Sequence, residues 1–412
     1  MGPGFVTGAA DDDPAGIGTY SQTGAVFGYS QLWTAFFSFP FMTVIQEMCG
    51  RIGMVTGRGL ADLIKNHYSR PVLYFSVSLL FLANVVNIGA DLGAMAASAQ
   101  MLLGIPFMFW LLIFTVIILL LEVFVPYPSY AKILKYLALS LLAYVVTVFI
   151  VKQDWTTIGW SILTPKFSLD KTYLLNIVAI LGTTISPYLF FWQTDEEVEE
   201  EIVQGKLKMM GKGIPRIRNK DIRNMRLDTA AGMLFSNLIM LFIMITTAST
   251  LHANNITNIE TANQAAEALR PFAGDFAFVL FAAGIISTGL LAVPILAGSA
   301  SYAIAETIGF KEGLYLKFKK AHGFYAVITI ATVFGLFVHL TPIKPFQLLY
   351  YSAIFNGFCA PPLMVLILLI GKNKKIMGKH VNGPISNTLG WIITLLMFTA
   401  AIALLLNFIN VL

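Results

Sequence analysis

Apolar runs of membrane-spanning length, joined by short loops, leave this 412-residue chain few environments in which to fold. A helix that crosses a bilayer needs about 20 mainly apolar residues. Taking such runs in order predicts eleven helices, at approximately 3–28 (broken), 31–52, 72–103, 106–124, 130–151, 172–194 (broken), 225–251, 272–306, 321–340, 345–370 and 385–411. Only 12% of the residues are charged and the mean hydropathy is +0.75, against roughly 25% charged in soluble domains. The expectation is an all-α polytopic membrane protein, one transmembrane domain over 1–412. The net charge of +5 does not point to nucleic acid, because the basic residues sit in short loops between apolar runs. Cys49 and Cys359 both lie inside apolar runs, so neither a disulfide framework nor a zinc site follows from them. No cleavable signal peptide is visible. The opening Met-Gly-Pro-Gly starts almost inside the first run, as trimming of a natural N-terminal tail would leave it.

Two of the runs are interrupted. Between Gly8 and Gly18 stand Asp11, Asp12, Asp13, Pro14 and Gly16. Pro14 cannot donate an amide, and glycine tolerates dihedrals that other residues resist, so the break has a local cause. Irregular backbone at membrane depth is tolerated where it lines a cavity or is buried in protein, and carboxylates there mark function. The plainer alternative is a solvated tail through Asp13, with the first span starting at Ala15. The second interruption runs from Leu181 to Tyr188, where Ser186 and Pro187 have the form of a helix N-cap followed by proline at the first helical position. A simple proline kink is the alternative. The broken helices, one and six, open two five-helix blocks, at about 1–151 and 172–370, with an extra helix at about 385–411. Because five is odd, the second block is inverted, and interrupted helices at matching places in inverted halves point to a transport site.

Basic residues set the orientation. Lys152, Lys166, Lys171, Arg270 and Lys344 fall on one side, and the rest of the 27 Lys and Arg, among them Arg51, Lys132, Lys135 and Lys212, fall on the other. The positive-inside rule places the N-terminus in the cytoplasm and the C-terminus outside. This predicts a multi-pass cell-membrane protein of bacterial inner-membrane type. The acidic run Asp195–Glu201 reads as a solvated cytoplasmic loop with a helical start, a gating role being the sharper alternative. A short external helix is expected from Thr261 to Leu269, with His252 at the surface.

The two broken helices resemble those of the NRAMP family of divalent-metal transporters. The matching features are Gly2-Pro-Gly-Phe leading to Asp13-Pro14, Gln46, and Arg51-Ile-Gly-Met-Val-Thr-Gly-Arg58. They continue with Gly89-Ala-Asp91-Leu, Leu103-Gly-Ile-Pro106 and Ile180-Leu-Gly-Thr-Thr-Ile-Ser-Pro187. They run in order across nearly the whole chain. The resemblance implies the LeuT-type inverted-repeat fold (the APC fold), a divalent metal as transported substrate, no cofactor and no catalysis. Departures from the family pattern are informative. Its Asp-Pro-Gly-Asn is here Asp13-Pro14-Ala15-Gly16, its Met-Pro-His is Ser186-Pro187-Tyr188, a second histidine falls at Gln193, and a helix-three acid falls at Ala94. This set resembles the NRAMP-related magnesium transporters, a divergent branch.

Ligand chemistry points the same way. A thioether favours soft transition metals, whereas hydroxyl, carbonyl and carboxylate oxygens suit magnesium, calcium and manganese. Magnesium loses water reluctantly and is usually held by one or two carboxylates. The expected site has Asp13 for charge, the Ser186 hydroxyl, backbone carbonyls near Ala10 and Thr183 left unpaired by the helix breaks, room for water at Gly16, and Asn356 as a further candidate. Glu47, Asp11 and Asp12 read as lining the entrance or as salt-bridged, Asp91 as part of a residual polar path or as simply hydrogen-bonded among helices, and Glu122 and Glu306 as snorkelling at helix ends. The expected function is Mg2+ and Mn2+ uptake as a largely hydrated ion, by a monomer in the bilayer and without proton coupling. The alternatives are a proton-coupled Mn2+/Fe2+ symporter and, more distantly, an intramembrane aspartyl protease using Asp13 and Asp91.

Overall fold

The computed structural model describes residues 2–125 and 141–408, and regular structure within them is helical. The first interrupted run forms α1 (Pro3–Asp11) and α2 (Pro14–Phe27). There follow α3 (Trp33–Thr56), α4 (Leu60–His67), α5 (Arg70–Leu103), α6 (Phe107–Phe124), α7 (Leu142–Ile150) and α8 (Trp155–Leu163). The second interrupted run forms α9 (Lys171–Thr184) and α10 (Pro187–Val203). The rest comprises α11 (Asn219–Thr250), the short α12 (Ala262–Ala266), α13 (Ala277–Ile308), α14 (His322–Phe337), α15 (Pro345–Lys372) and α16 (Pro384–Phe408). The start of the fifth expected helix, with Lys132 and Lys135, and the end of the last one lie outside the described residues.

Among the described residues, eight stretches are long and apolar enough to cross a membrane, with α9 and α10 counting as one stretch. α5 is 34 residues long, or about 51 Å at 1.5 Å per residue. That exceeds a hydrocarbon core of about 30 Å, so α5 must tilt or project beyond it. The broken helices lie inside the bundle. α1 packs on α11, α2 on α11 and α15, α9 on α15, and α10 on α3 and α13. Several of these contacts are backbone-close, among them α1 with α11 and α9 with α15. A side chain at Gly8 would strike Gly232, and one at Gly182 would strike the Ala353 carbonyl and Gly357.

The acidic run after the second break is not a solvated loop. α10 continues to Val203, and Asp195, Glu197, Glu199 and Glu201 are buried. Distant partners explain the inward placement of Glu199, which accepts from Tyr302 and from the Leu314 amide, whereas Glu197 accepts from the nearby Gln193 at 2.9 Å. Nor do Glu122 and Glu306 snorkel. Both are buried, Glu122 with neither oxygen hydrogen-bonded among the described residues. The short helix expected from Thr261 forms over Ala262–Ala266 behind a Thr261/Gln264 capping box, and a 3-10 turn carries it to Leu269. His252 is exposed, its Nδ1 2.8 Å from the Ala25 carbonyl.

Candidate functional site

The site starts from one local rule. In Asp13-Pro14-Ala15-Gly16 the aspartate takes extended backbone and caps α2, its Oδ1 accepting the Gly16 amide at 2.6 Å with Pro14 at the first helical position. A carboxylate there is favoured by the positive end of the helix dipole. α1 meanwhile ends at Asp11, so its C-terminal carbonyls face the same gap. Asp13 is thus fixed at mid-bundle, 1% exposed, between a donor end and an acceptor end.

Its other oxygen reaches across the bundle. Asp13 Oδ2 accepts from the Asn87 amide at 3.1 Å and lies 3.3 Å from the Tyr188 hydroxyl. The same hydroxyl is 3.0 Å from the Ala10 carbonyl. Asn356 reaches the site through Asn87, donating to its Oδ1 at 3.3 Å. Asp91 accepts the Ala15 amide at 3.2 Å, which makes it a support of the α2 start.

Ser186 faces backwards. Its hydroxyl lies 2.7 Å from the Thr183 carbonyl and 2.9 Å from the Gly182 carbonyl, and makes no capping bond to α10. Pro187 does open α10, but the serine closes the end of α9 instead of capping α10. The Ala10 and Thr183 carbonyls, expected to be free, are therefore both engaged by the protein's own hydroxyls. A buried carbonyl without a partner costs about 1–3 kcal/mol, and here Tyr188 and Ser186 supply that partner at each break. Gly16 leaves little spare room: a Cβ there would lie 3.1 Å from the Asp11 carbonyl, 3.3 Å from Asp13 Oδ1 and 3.4 Å from Thr183 Oγ1.

Of the six expected residues, Asp13 and Gly16 meet directly, the Ala10 carbonyl joins them through the Tyr188 hydroxyl, Thr183 borders Gly16, Ser186 binds Thr183, and Asn356 stands one amide away. Asn87 and Tyr188 were not foreseen as contacts of Asp13. Tyr188 was noticed only as the replacement of a histidine, and nothing local marks Asn87 among the polar residues of α5. Among the described residues no group of three or more His, Cys, Asp or Glu side chains converges as a metal cluster. Glu47 is salt-bridged, to Arg51 at 2.9 Å and to Arg226 at 2.8 Å. Asp11 and Asp12 share the Ser236 hydroxyl, at 2.6 and 3.2 Å.

Comparison with known proteins gives a concordant result. A family model described as natural resistance-associated macrophage protein-like (Nramp) matches residues 4–407. The divalent metal cation transporter MntH of Deinococcus radiodurans is 25% identical over 402 residues, covering 96% of this chain and 87% of that protein. Among solved structures, the Eremococcus coleocola manganese transporter aligns with a TM-score of 0.74 at 16% identity, over 98% of this chain and 85% of that one. Mhp1, a nucleobase-cation-symport-1 family transporter, aligns with a TM-score of 0.57 at 13% identity, over 100% of this chain and 92% of that one. At these identities the structural likeness speaks for the fold, which is that of LeuT-type transporters.

Proposed function

The chain belongs to the Nramp family, and from that premise we propose that it carries divalent metal cations across the membrane, with Mg2+ as the main substrate and Mn2+ also accepted. It is a transporter and not an enzyme, so the paired-aspartate protease reading falls away, and the metal is cargo that needs no cofactor. One observation carries the substrate assignment: among the described residues the hydrogen-bond partners of Asp13 are a backbone amide, an asparagine amide and a tyrosine hydroxyl, with neither thioether nor imidazole. A carboxylate with neutral neighbours and no soft donor suits a hard cation that retains water.

We read the site as Asp13 with Ser186, Gly16, the Ala10 and Thr183 carbonyls and Asn356, the protein's hydroxyls giving way to the ion. The same reading has eleven spans, two inverted five-helix blocks at about 1–151 and 172–370, and an extra helix at about 385–411. The N-terminus is then cytoplasmic, the C-terminus external and the working unit a monomer in the cell membrane. The relatives support a second reading, since those named above are a divalent metal cation transporter and a manganese transporter. On that reading the chain is a proton-coupled Mn2+/Fe2+ symporter.

Uptake into proteoliposomes with Mg2+, Mn2+ and Ca2+ separates the two. Mg2+ should enter, Mn2+ should enter and compete with it, and Asp13→Ala should abolish both fluxes in a folded protein. Near-normal uptake by Asp13→Ala would sink the site, and Mn2+ flux that Mg2+ neither matches nor inhibits would sink the substrate.

A further inference from the structure

The acidic run on α10 places a carboxylate where the transport site does not use it. Asp195 is fully buried and neither of its oxygens has a hydrogen-bond partner among the described residues. It faces Glu306 of α13, which is 4% exposed. A side chain on Gly59 would overlap both Glu306 Oε1 and Asp195 Oδ1, so the two oxygens meet within roughly 4 Å, the width of a methyl group. Glu306 Oε2 is anchored by the Asp62 amide at 3.0 Å, at the start of α4. Three elements, α4, α10 and α13, therefore converge on two carboxylates.

Among the described residues no Lys or Arg side chain forms an ion pair with either carboxylate. The Lys65 ammonium donates to the Glu306 backbone carbonyl at 2.9 Å, and Arg58 pairs with Asp62 at 2.5 Å. Glu196, Glu199 and Glu312 add further negative field around Asp195. Glu312 and Asp62 are half-exposed. In the loop beyond α13, Glu312 is held well above the usual carboxylate range by burial, with the Asp62 charge adding to it. Buried charges are ordinarily paired or bound to metal.

We propose that Asp195 and Glu306 form a second divalent-cation site, separate from Asp13, that clamps α10 to α13 and α4. Two carboxylate oxygens with water at the remaining positions suit Mg2+, which keeps several waters, or Ca2+. α10 is the second half of a broken helix, so a cation here holds that half against the scaffold. This mechanical consequence rests on the transporter reading, but binding at the pair does not.

The test uses the full-length protein in detergent with Asp13→Ala, which leaves this pair untouched. Thermal unfolding is followed during titration with MgCl2 or CaCl2, against KCl of matched ionic strength. The expected result is a rise of several degrees in Tm with either divalent salt, abolished by adding Asp195→Asn or Glu306→Gln. Gly59→Ala, which intrudes between the two oxygens, should weaken the response at least tenfold in cation concentration even if one carboxamide variant fails to fold. No divalent-specific rise in the Asp13→Ala parent would overturn the proposal, as would a rise that survives both carboxamide variants. A higher Tm for Asp195→Asn without metal, combined with no metal response in the parent, would mean that the pair shares a proton instead. Failure of the transport site would show separately, as uptake that Asp13→Ala leaves intact.

Discussion

At Asp13 a single hydroxyl decides which groups are free to meet an ion. Tyr188 lies within hydrogen-bond reach of both the Ala10 carbonyl and Asp13 Oδ2, so it competes with a cation for two of its proposed ligands. Removing a competing hydrogen bond worth about 1 kcal/mol changes an equilibrium about fivefold. Tyr188→Phe should therefore lower the apparent KM for Mg2+ about fivefold, and a raised KM in concentration-dependent uptake would contradict the competition. Selectivity rests on the same few ångströms. Ser186→Met with Gly16→Asn adds a soft sulfur and an amide oxygen and should shift preference towards Mn2+, read as the ratio of Mn2+ to Mg2+ uptake. The asparagine has to displace its neighbours slightly, because a Cβ at Gly16 already comes within 3.1 Å of the Asp11 carbonyl. Asp13 and Gly16 were legible in the sequence because an Asp-Pro step with glycine three residues after the aspartate writes its own helix cap. Asn87 and Tyr188 were not, since each meets Asp13 from more than seventy residues away, and only packing decides which polar residues of α5 and α10 face it.

Among the elements, α1 ends at the break that Asp13 caps. It spans nine residues and buries much of one side against α11. Its N-terminus is tied by Asp228, whose Oδ1 accepts the Gly2 amide at 2.7 Å and whose Oδ2 accepts the Phe5 amide at 3.0 Å. A cap of this kind typically contributes about 1 kcal/mol. Asp228→Ala should therefore speed hydrogen exchange of the α1 amides severalfold while leaving α13 unchanged, and equal exchange across both would refute a local tether. At Gly8 the two helices touch through backbone, where any side chain strikes Gly232. Gly8→Val should push α1 off α11 at a cost of about 1–3 kcal/mol, visible as lower uptake and a lower Tm. The helices themselves were readable because apolar length is a property of the sequence alone. The acidic stretch of α10 was not, because a run of glutamates reads as solvated until Tyr302 and the Leu314 amide, over a hundred residues on, supply an interior partner.

For the whole molecule the open question is what drives the ion, and the layout of titratable groups argues for the metal's own gradient. A proton that accompanies the metal needs a relay leading away from Asp13. Asp91 is one candidate step: its Oδ1 accepts the Ala15 amide at 3.2 Å, and its Oδ2 has no hydrogen-bond partner among the described residues. One turn further along α5 stand Ala94, Met95 and Ala96, all buried and none able to carry a proton. On α10, Tyr188 is occupied between Ala10 and Asp13, and Gln193 donates to Glu197 at 2.9 Å. Neither side chain changes protonation between about pH 5 and 8, as a histidine does. The driving force does not require a second ion, since moving two charges across 100 mV supplies roughly 4.6 kcal/mol, at about 2.3 per charge. That energy corresponds to more than a thousandfold accumulation at equilibrium, because each 1.4 kcal/mol is a factor of ten. We therefore expect uniport driven by the metal gradient and the membrane potential. The measurement is made in proteoliposomes holding a pH-sensitive dye, with Mg2+ or Mn2+ added outside under an inward-negative potential. Metal should enter with no matching change in internal pH, and flux should rise as the potential is made more negative. Internal acidification that tracks metal entry in rate, and vanishes with Asp13→Ala, would establish the coupling that the missing relay argues against.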